Sequence, residues 1–476
     1  CYVCGGRLME AQITFLKGDK MGIETDYRDS LPVNMSGIVR PMFGAQGYML
    51  MQPGLTEYGN GIGIDRGGLW NERFQEHYRV SANSLIQVNQ NGNAIELGTI
   101  SGLDTVSMPY SFNTQAVIAD GNYYLYSPSG GFSQVTDPEL GNPIDCVWID
   151  GYYFFTDGEF LFHTNLNDET AIDPLKFATA EFSPDPTIGV GKTTDNKAIA
   201  FGRYSTEYFI NQSNPNFAFT RAGGRAIKSG IVGTHCKAEM GDIWYVMGGR
   251  KEEAVSINAL GVGSYTKVSS REVDKIIGQY SEAELAPSIL EARVEDSYSY
   301  LIVHLPNETL LFNETLAKVV GNEQAWSILK SDVEGDLPWR GIHGLFEPRR
   351  GEWVYGDKRS NKLAILDESV ATHFDEIVEW VLNTPYLFLE QLSLDAIEIE
   401  TIPGFTGTSD ATVFLSLTYN GVTHGTEVTI LYGLPSQYEK RFVKRRLGYI
   451  RDWVSIKLRG ANRSRMAFSR AMIEYG

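Results

Sequence analysis

The chain has little of what catalysis or metal binding usually draws on. Its 476 residues include only four cysteines and seven histidines. The histidines, at 77, 163, 235, 304, 343, 373 and 424, show no HxxxH or HExxH spacing that would set two on one helix face for a metal. Cys1 and Cys4 form a CxxC pair, but no second pair completes a zinc set. Cys146 and Cys236 stand alone and read as buried thiols, consistent with a reducing compartment during synthesis. There is no GxSxG elbow and no phosphate-binding P-loop. GIGIDRGG at 61–68 lacks the GxGxxG spacing and reads as a loop. No cofactor and no catalytic residue are implied. No apolar run reaches the ~18 residues of a membrane span, and no signal peptide is visible. A first-position Cys suits a lipidated surface protein, but Met9 as the natural start is the reading favoured here, with Cys1–Leu8 as foreign sequence.

Positive charge is also scarce. The formal net charge is −18, which argues against a surface that grips nucleic acid all over. The exception is residues 440–470, where eleven Lys or Arg face one acid, Asp452. That segment carries +10 and the remainder −28. Lys440, Arg441, Lys444, Arg445, Arg446 and Arg451 are the candidate contact face for an acidic partner, against the plainer reading of a solvated strand face.

Glycine (49 residues) and aromatics (12 %) are plentiful, as in turn-rich β proteins. DGYYFFTDGEFLFHT at 150–164 reads as strand, Asp157-Gly158 turn, strand. Similar runs start at 77, 121, 151, 196, 241, 299 and 351. Short strands recurring every 30–58 residues suggest propeller blades. Central blade strands are covered on both faces, so they read as continuous apolar runs. The aromatics are therefore expected between blades rather than on an exposed sugar platform.

Residues 269–296 break the pattern. Val273, Ile276, Ile277 and Tyr280 have helical spacing, and Ser269/Glu272 and Ser281/Glu284 match capping boxes. Pro287 limits the second helix. After about residue 374 the runs 387–401, 411–419 and 454–458 read as strands, with an Asn420-Gly421 hairpin turn. The expected fold is all-β: an N-terminal extension (1–11), a β-propeller (12–374) with a helical insert at about 269–296, and a β-sandwich-like or jelly-roll domain (375–476).

Acids such as Asp168, Glu169 and Asp185 raise the alternative of a polysaccharide-binding or -cleaving propeller. That chemistry needs two carboxyls at a set separation, and 59 acids supply pairs by chance.

Several stretches share order and spacing with one family. They are YRDSLPVNM from Tyr27, Pro53-Gly54, Tyr78-Arg79-Val80, STEYF at 205–209, GIVGTHCK at 230–237, and Lys275, Ile276, Tyr280 and Glu284–Ala286 of the insert. HLP at 304–306, QAW at 324–326, Gly356-Asp357 and YEKRFVKRRLGYIR at 438–451 follow. From about residue 12 to the end the chain resembles the packaged-DNA stabilisation proteins, also called tail hub or nozzle proteins, of short-tailed, tailspike-bearing phages. The resemblance implies a non-enzymatic virion tail part, made in the host bacterial cytoplasm. It implies a homo-hexameric ring below the portal adaptor, bearing tailspikes or a tail needle. Genomic DNA would pass through its lumen without sequence-specific binding, and no membrane anchor is expected. Cys1–Leu8 has no counterpart in the family.

Overall fold

In the computed structural model Tyr152–Thr156 is a strand buried along its whole length, with Leu161–Asn165 beside it. Successive side chains leave a strand on opposite faces. Tyr153 and Phe155 pack with Tyr123 and Leu125 on one side. Tyr152 and Phe154 pack with Phe209, Phe217 and Phe219 on the other. The aromatic run thus fills both gaps between its own sheet and the two neighbours. The turn before it is a tight hairpin, with Asp150 at φ 51° and Gly151 at φ 85°. The residues described are 9–15, 18–21, 27–41, 45, 47–224, 226–261, 264–389, 391–401, 406 and 411–476. Cys1 and Cys4 lie outside them.

Among the described residues seven small antiparallel sheets form a propeller. Blades 1 and 3–6 span 65–99, 145–178, 187–221, 237–267 and 289–329. Blade 2 has three strands within 115–135, and residues 107–110 bridge to Gln115–Ala119 as its innermost segment. Blade 7 joins Gly341–Glu347, Glu352–Asp357 and Lys362–Asp367 to Gly54–Asn60 from the start of the chain. This pairing closes the ring. In six blades the apolar run read from sequence is the second strand; in blade 2 it is the third, because Gln115–Ala119 takes the second place. The loop expected at 61–68 is corrected: Asp65–Asn71 is the innermost strand of blade 1. Gly68 is needed there, since a Cβ would meet the Arg79 guanidinium at 2.9 Å.

The helical insert is shorter than 269–296. Helices occupy Arg271–Ile277 and Glu282–Leu285, and Ile289–Glu295 is already the innermost strand of blade 6. Ser270, not Ser269, caps the first helix, and Glu272 instead pairs with Arg28 at 2.7 Å. The Ser281–Glu284 capping box forms as read. A third helix, Glu314–Val320, lies inside blade 6 and carried no clear sequence signal.

The second body is a β-sandwich. One sheet holds Phe442–Ile450, Leu392–Thr401 and Ala467–Tyr475, and the other Glu379–Asn383, Trp453–Ala461, Thr412–Thr418 and Val428–Leu431. Trp380 and Phe468 meet between them at 5.0 Å. Thr412–Thr418 and Val428–Leu431 are joined by a longer loop rather than a two-residue turn at Asn420-Gly421. The first sheet also takes Met9–Thr14, Met35–Ile38 and Tyr48–Met51. Among the described residues three strands that precede Gly54 thus pair within the sandwich.

Residues 32–34 join the two bodies. Pro32 O accepts from Ile328 N of blade 6, and Val33 exchanges both backbone hydrogen bonds with Val381 of the sandwich. Buried Asn34 sits at φ 51°, and its side-chain amide donates to Lys330 O (2.8 Å) and Glu379 O (2.7 Å) while accepting from Lys330 N (2.9 Å). Asn is among the residues that tolerate this backbone. Asn34→Ala strands three backbone groups and adds strain, so chemical denaturation should show a loss of about 3 kcal/mol. A loss below about 1 kcal/mol would mean that the seam is not held by this side chain.

Candidate functional site

The basic segment lies on the rim of the sandwich. Phe442–Ile450 is the outermost strand of its sheet, paired with Leu392–Thr401. Phe442 and Ile450 point into the core. Arg445, Arg446 and Tyr449 are exposed, and Lys440 and Lys444 are half-buried. The strand is bulged: Arg446 has φ 60° and Gly448 φ 107°. Bulges of this kind turn a sheet edge away from further strand pairing and re-aim its side chains.

The structure sorts these cations into two groups. Arg441 binds the Glu398 carboxylate in a two-pronged contact, with Nε donating at 2.6 Å. That bond holds the Glu398 carboxyl below its ordinary value. Arg459 grips Glu427, Arg470 grips Glu400, and Arg465 donates to Met51 O. These are internal ties of the sandwich. Arg451 lies 3.6 Å from Asp452 with both side chains largely exposed, a contact of little energy. Among the described residues Lys440, Lys444, Arg445 and Arg446 make no ion pair. They share the rim with exposed Tyr438, Tyr449 and Trp453. Of the six residues read from sequence, four are therefore uncommitted, one is tied internally and one is only weakly paired.

A second polar constellation carries no sequence signal: it ties the inner strands of neighbouring blades. The Asp145 carboxylate (blade 3) accepts from Ser107 Oγ (2.6 Å) beside blade 2, from Lys237 Nζ of blade 5 (2.7 Å) and from Val190 N of blade 4 (2.8 Å). Asp65 of blade 1 meets Arg79 Nη1 at 2.7 Å and His343 Nδ1 of blade 7 at 2.6 Å. Glu291 of blade 6 accepts from the backbone N of Gly344 at 3.1 Å, and His304 Nε2 lies 3.4 Å away. Asp145 thus joins blades 2 to 5, while Asp65 and Glu291 join blades 1 and 6 to blade 7. Burial pushes Glu291 up, but the His304 and His343 imidazoles and the Gly344 N–H outweigh it and hold the carboxyl at about 2. Burial lowers His304 to about 4 and Lys358 to about 8. Each residue looks ordinary in sequence, because its partner lies on another blade.

The acids considered for sugar chemistry are also engaged. Glu169 accepts from Ser111 and Thr114 at 2.5 and 2.7 Å, and Asp185 from Tyr204 N and Ser205 Oγ at 2.6 and 3.0 Å. Among the described residues no cluster of three or more His, Cys, Asp or Glu is placed to hold a metal. No helix among them is long and apolar enough to cross a membrane.

Comparison with known proteins fits this two-body architecture. The chain is 28 % identical to the "Tail hub protein gp10" of Salmonella phage P22, over 97 % of this chain and 98 % of that protein. Among solved structures, "Streptogramin B lyase structure" has a TM-score of 0.43 at 11 % identity, covering 65 % of this chain and 96 % of the other. The Pan2 WD40 domain of Neurospora crassa has a TM-score of 0.42 at 8 % identity, covering 67 % and 95 %. The model of the bacteriophage P22 Gp10 β-sandwich family matches residues 379–476. The model of the bacteriophage P22 Gp10 β-propeller family matches residues 11–371, and the chain belongs to that family.

Proposed function

We propose that this chain is a structural tail hub protein of a short-tailed phage virion. The observation that carries the reading is the match of both bodies, in order, to one two-domain family and to a tail hub protein along nearly its whole length. Six copies form a ring below the portal adaptor and extend the DNA channel. The ring helps retain packaged DNA and bears tailspikes or a tail needle. The uneven charge supports this division of labour. An acidic inner wall repels phosphates, so DNA slides without sticking. The uncommitted cations Lys440, Lys444, Arg445 and Arg446 face protein rather than DNA.

Particles assembled without this chain are expected to lose packaged DNA, and addition of purified chain is expected to restore DNA retention and infectivity. Particles that keep their genome and infect without it would overturn the proposal. Turnover of a bacterial polysaccharide by the purified chain would favour the enzyme reading instead.

A further inference from the structure

Blade 3 carries an unusual outer edge. Its last strand, Asp168–Ala178, leaves Leu175 80 % and Phe177 51 % exposed. Large apolar side chains side by side on a sheet edge commonly mark a contact surface. Beside them is a cavity of about 220 Å³, walled by Phe160, Phe162 and Phe177 and rimmed by Glu139, Asp157 and Asp173. Phe160 and Phe177 meet edge to face at 5.1 Å. Lys176 also reaches the rim, but it pairs with Asp173 at 3.3 Å. Among the described residues Glu139, Asp157 and neighbouring Glu159 make no ion pair. Asp157 Oδ1 accepts from Glu159 N and Phe160 N, but an aromatic wall beside carboxylates outside any ion pair suits a guanidinium or ammonium, which gains from both the ring face and the charge.

The same chain supplies such cations at the sandwich rim. Lys444, Arg445 and Arg446 sit together on one bulged edge strand with exposed Tyr449, and among the described residues none makes an ion pair, although the Arg445 charge is felt by Glu398. The rest of the chain is strongly acidic, so a second copy is the nearest complementary surface at hand. We infer that the basic sandwich edge of one copy docks into the acidic, aromatic cavity of blade 3 on the next. The two patches differ, so the contact is head-to-tail and repeats around a ring. Pro174 and the register breaks in Asp168–Ala178 oppose strand addition. Side chains therefore make the contact, not a shared sheet. The inference rests on the ring proposed above and names its interface.

The test uses the full-length chain and its mass distribution across concentration. Arg445→Glu with Arg446→Glu, or Glu139→Lys with Glu159→Lys, should weaken self-association about tenfold or more. All four side chains are exposed, so melting curves should match wild type. Mixing the two variants should restore association, because each then offers the patch the other lacks. Variants that assemble as wild type does, a mixture that fails to recover, or a wild-type chain that stays monomeric at its solubility limit would each overturn this docking. The ring reading falls separately, if wild-type chain is absent from particle tails.

Discussion

Lowering the pH from about 7.5 to about 5 is expected to remove several kcal/mol of folding stability. Four histidines carry the effect: His77, His304 and His373, and His235, which burial also lowers to about 4. His77 lies between Glu347 and Arg79: Arg79 Nε donates to its Nε2 at 2.9 Å, which keeps the ring neutral with its proton on Nδ1, facing Glu347 Oε2 at 3.3 Å. Burial, with the nearby Arg79 charge, lowers its pKa from 6.5 to about 4. His304 stacks on Trp339 and faces Lys358, Glu291 and His343; burial takes it to about 4. His373 contacts Ser331 Oγ and faces Arg340 and Arg359; burial takes it to about 3. All four are neutral when folded and titrate near 6.5 when unfolded. Above that value they cost nothing. As pH falls from 6.5 toward 4, only the unfolded chain takes up these protons, and stability falls by about 2 kcal/mol per histidine at pH ~5. Glu291 acts in the same sense but lower: its carboxyl is held down in the fold, so its contribution is lost only as pH drops below about 4.5. Most domains have about 5–15 kcal/mol in total, so a steep fall in the denaturation midpoint should be visible. Equal midpoints at the two pH values would refute the assignment, and His77→Gln should flatten the dependence by about one quarter.

Arg79→Ala is expected to cost about 3–5 kcal/mol. Arg79 is fully buried on the second strand of blade 1 and reaches across the closure to blade 7. Its guanidinium donates to Asp65 Oδ2 (2.7 Å), His77 Nε2 (2.9 Å), His343 O (3.0 Å) and Val354 O (3.2 Å). Removing it leaves a carboxylate and two carbonyls buried where the first and last blades meet. Arg79→Lys should recover little, because one ammonium cannot match the planar fork. Arg79→Met with Asp65→Asn should recover part, since the buried charge is then gone. Denaturation of the three variants beside wild type tests the order. Arg79→Ala within about 1 kcal/mol of wild type would mean that the closure depends on the Gly54–Asn60 pairing alone.

The two sites differ in how far the sequence discloses them. Runs such as YYFFT announce themselves because strands covered on both faces are apolar throughout. Inner strands such as Asp65–Asn71 do not, because they are narrow, glycine-bearing and turned toward a polar axis. Gly54–Asn60 carries no mark of its destination, since its partner Lys362–Asp367 lies hundreds of residues away, and Tyr48–Met51 pairs with nearby Met35–Ile38 but also with distant Ala467 and Phe468. The basic edge is visible as composition. Which of its cations are already held depends on Glu398, Glu400 and Glu427, which reach them only in the folded sandwich. Asp145 and Lys237 are single charges in sequence and become a tie between blades only when the propeller folds.

A cryo-electron microscopy reconstruction of the phage tail tests the central claim most directly. The account predicts six copies in a ring around the DNA exit channel, an acidic inner wall, and Arg445 and Arg446 against protein. Tail density that this chain cannot occupy, or a ring whose lumen is lined by the 440–446 cations, would contradict it.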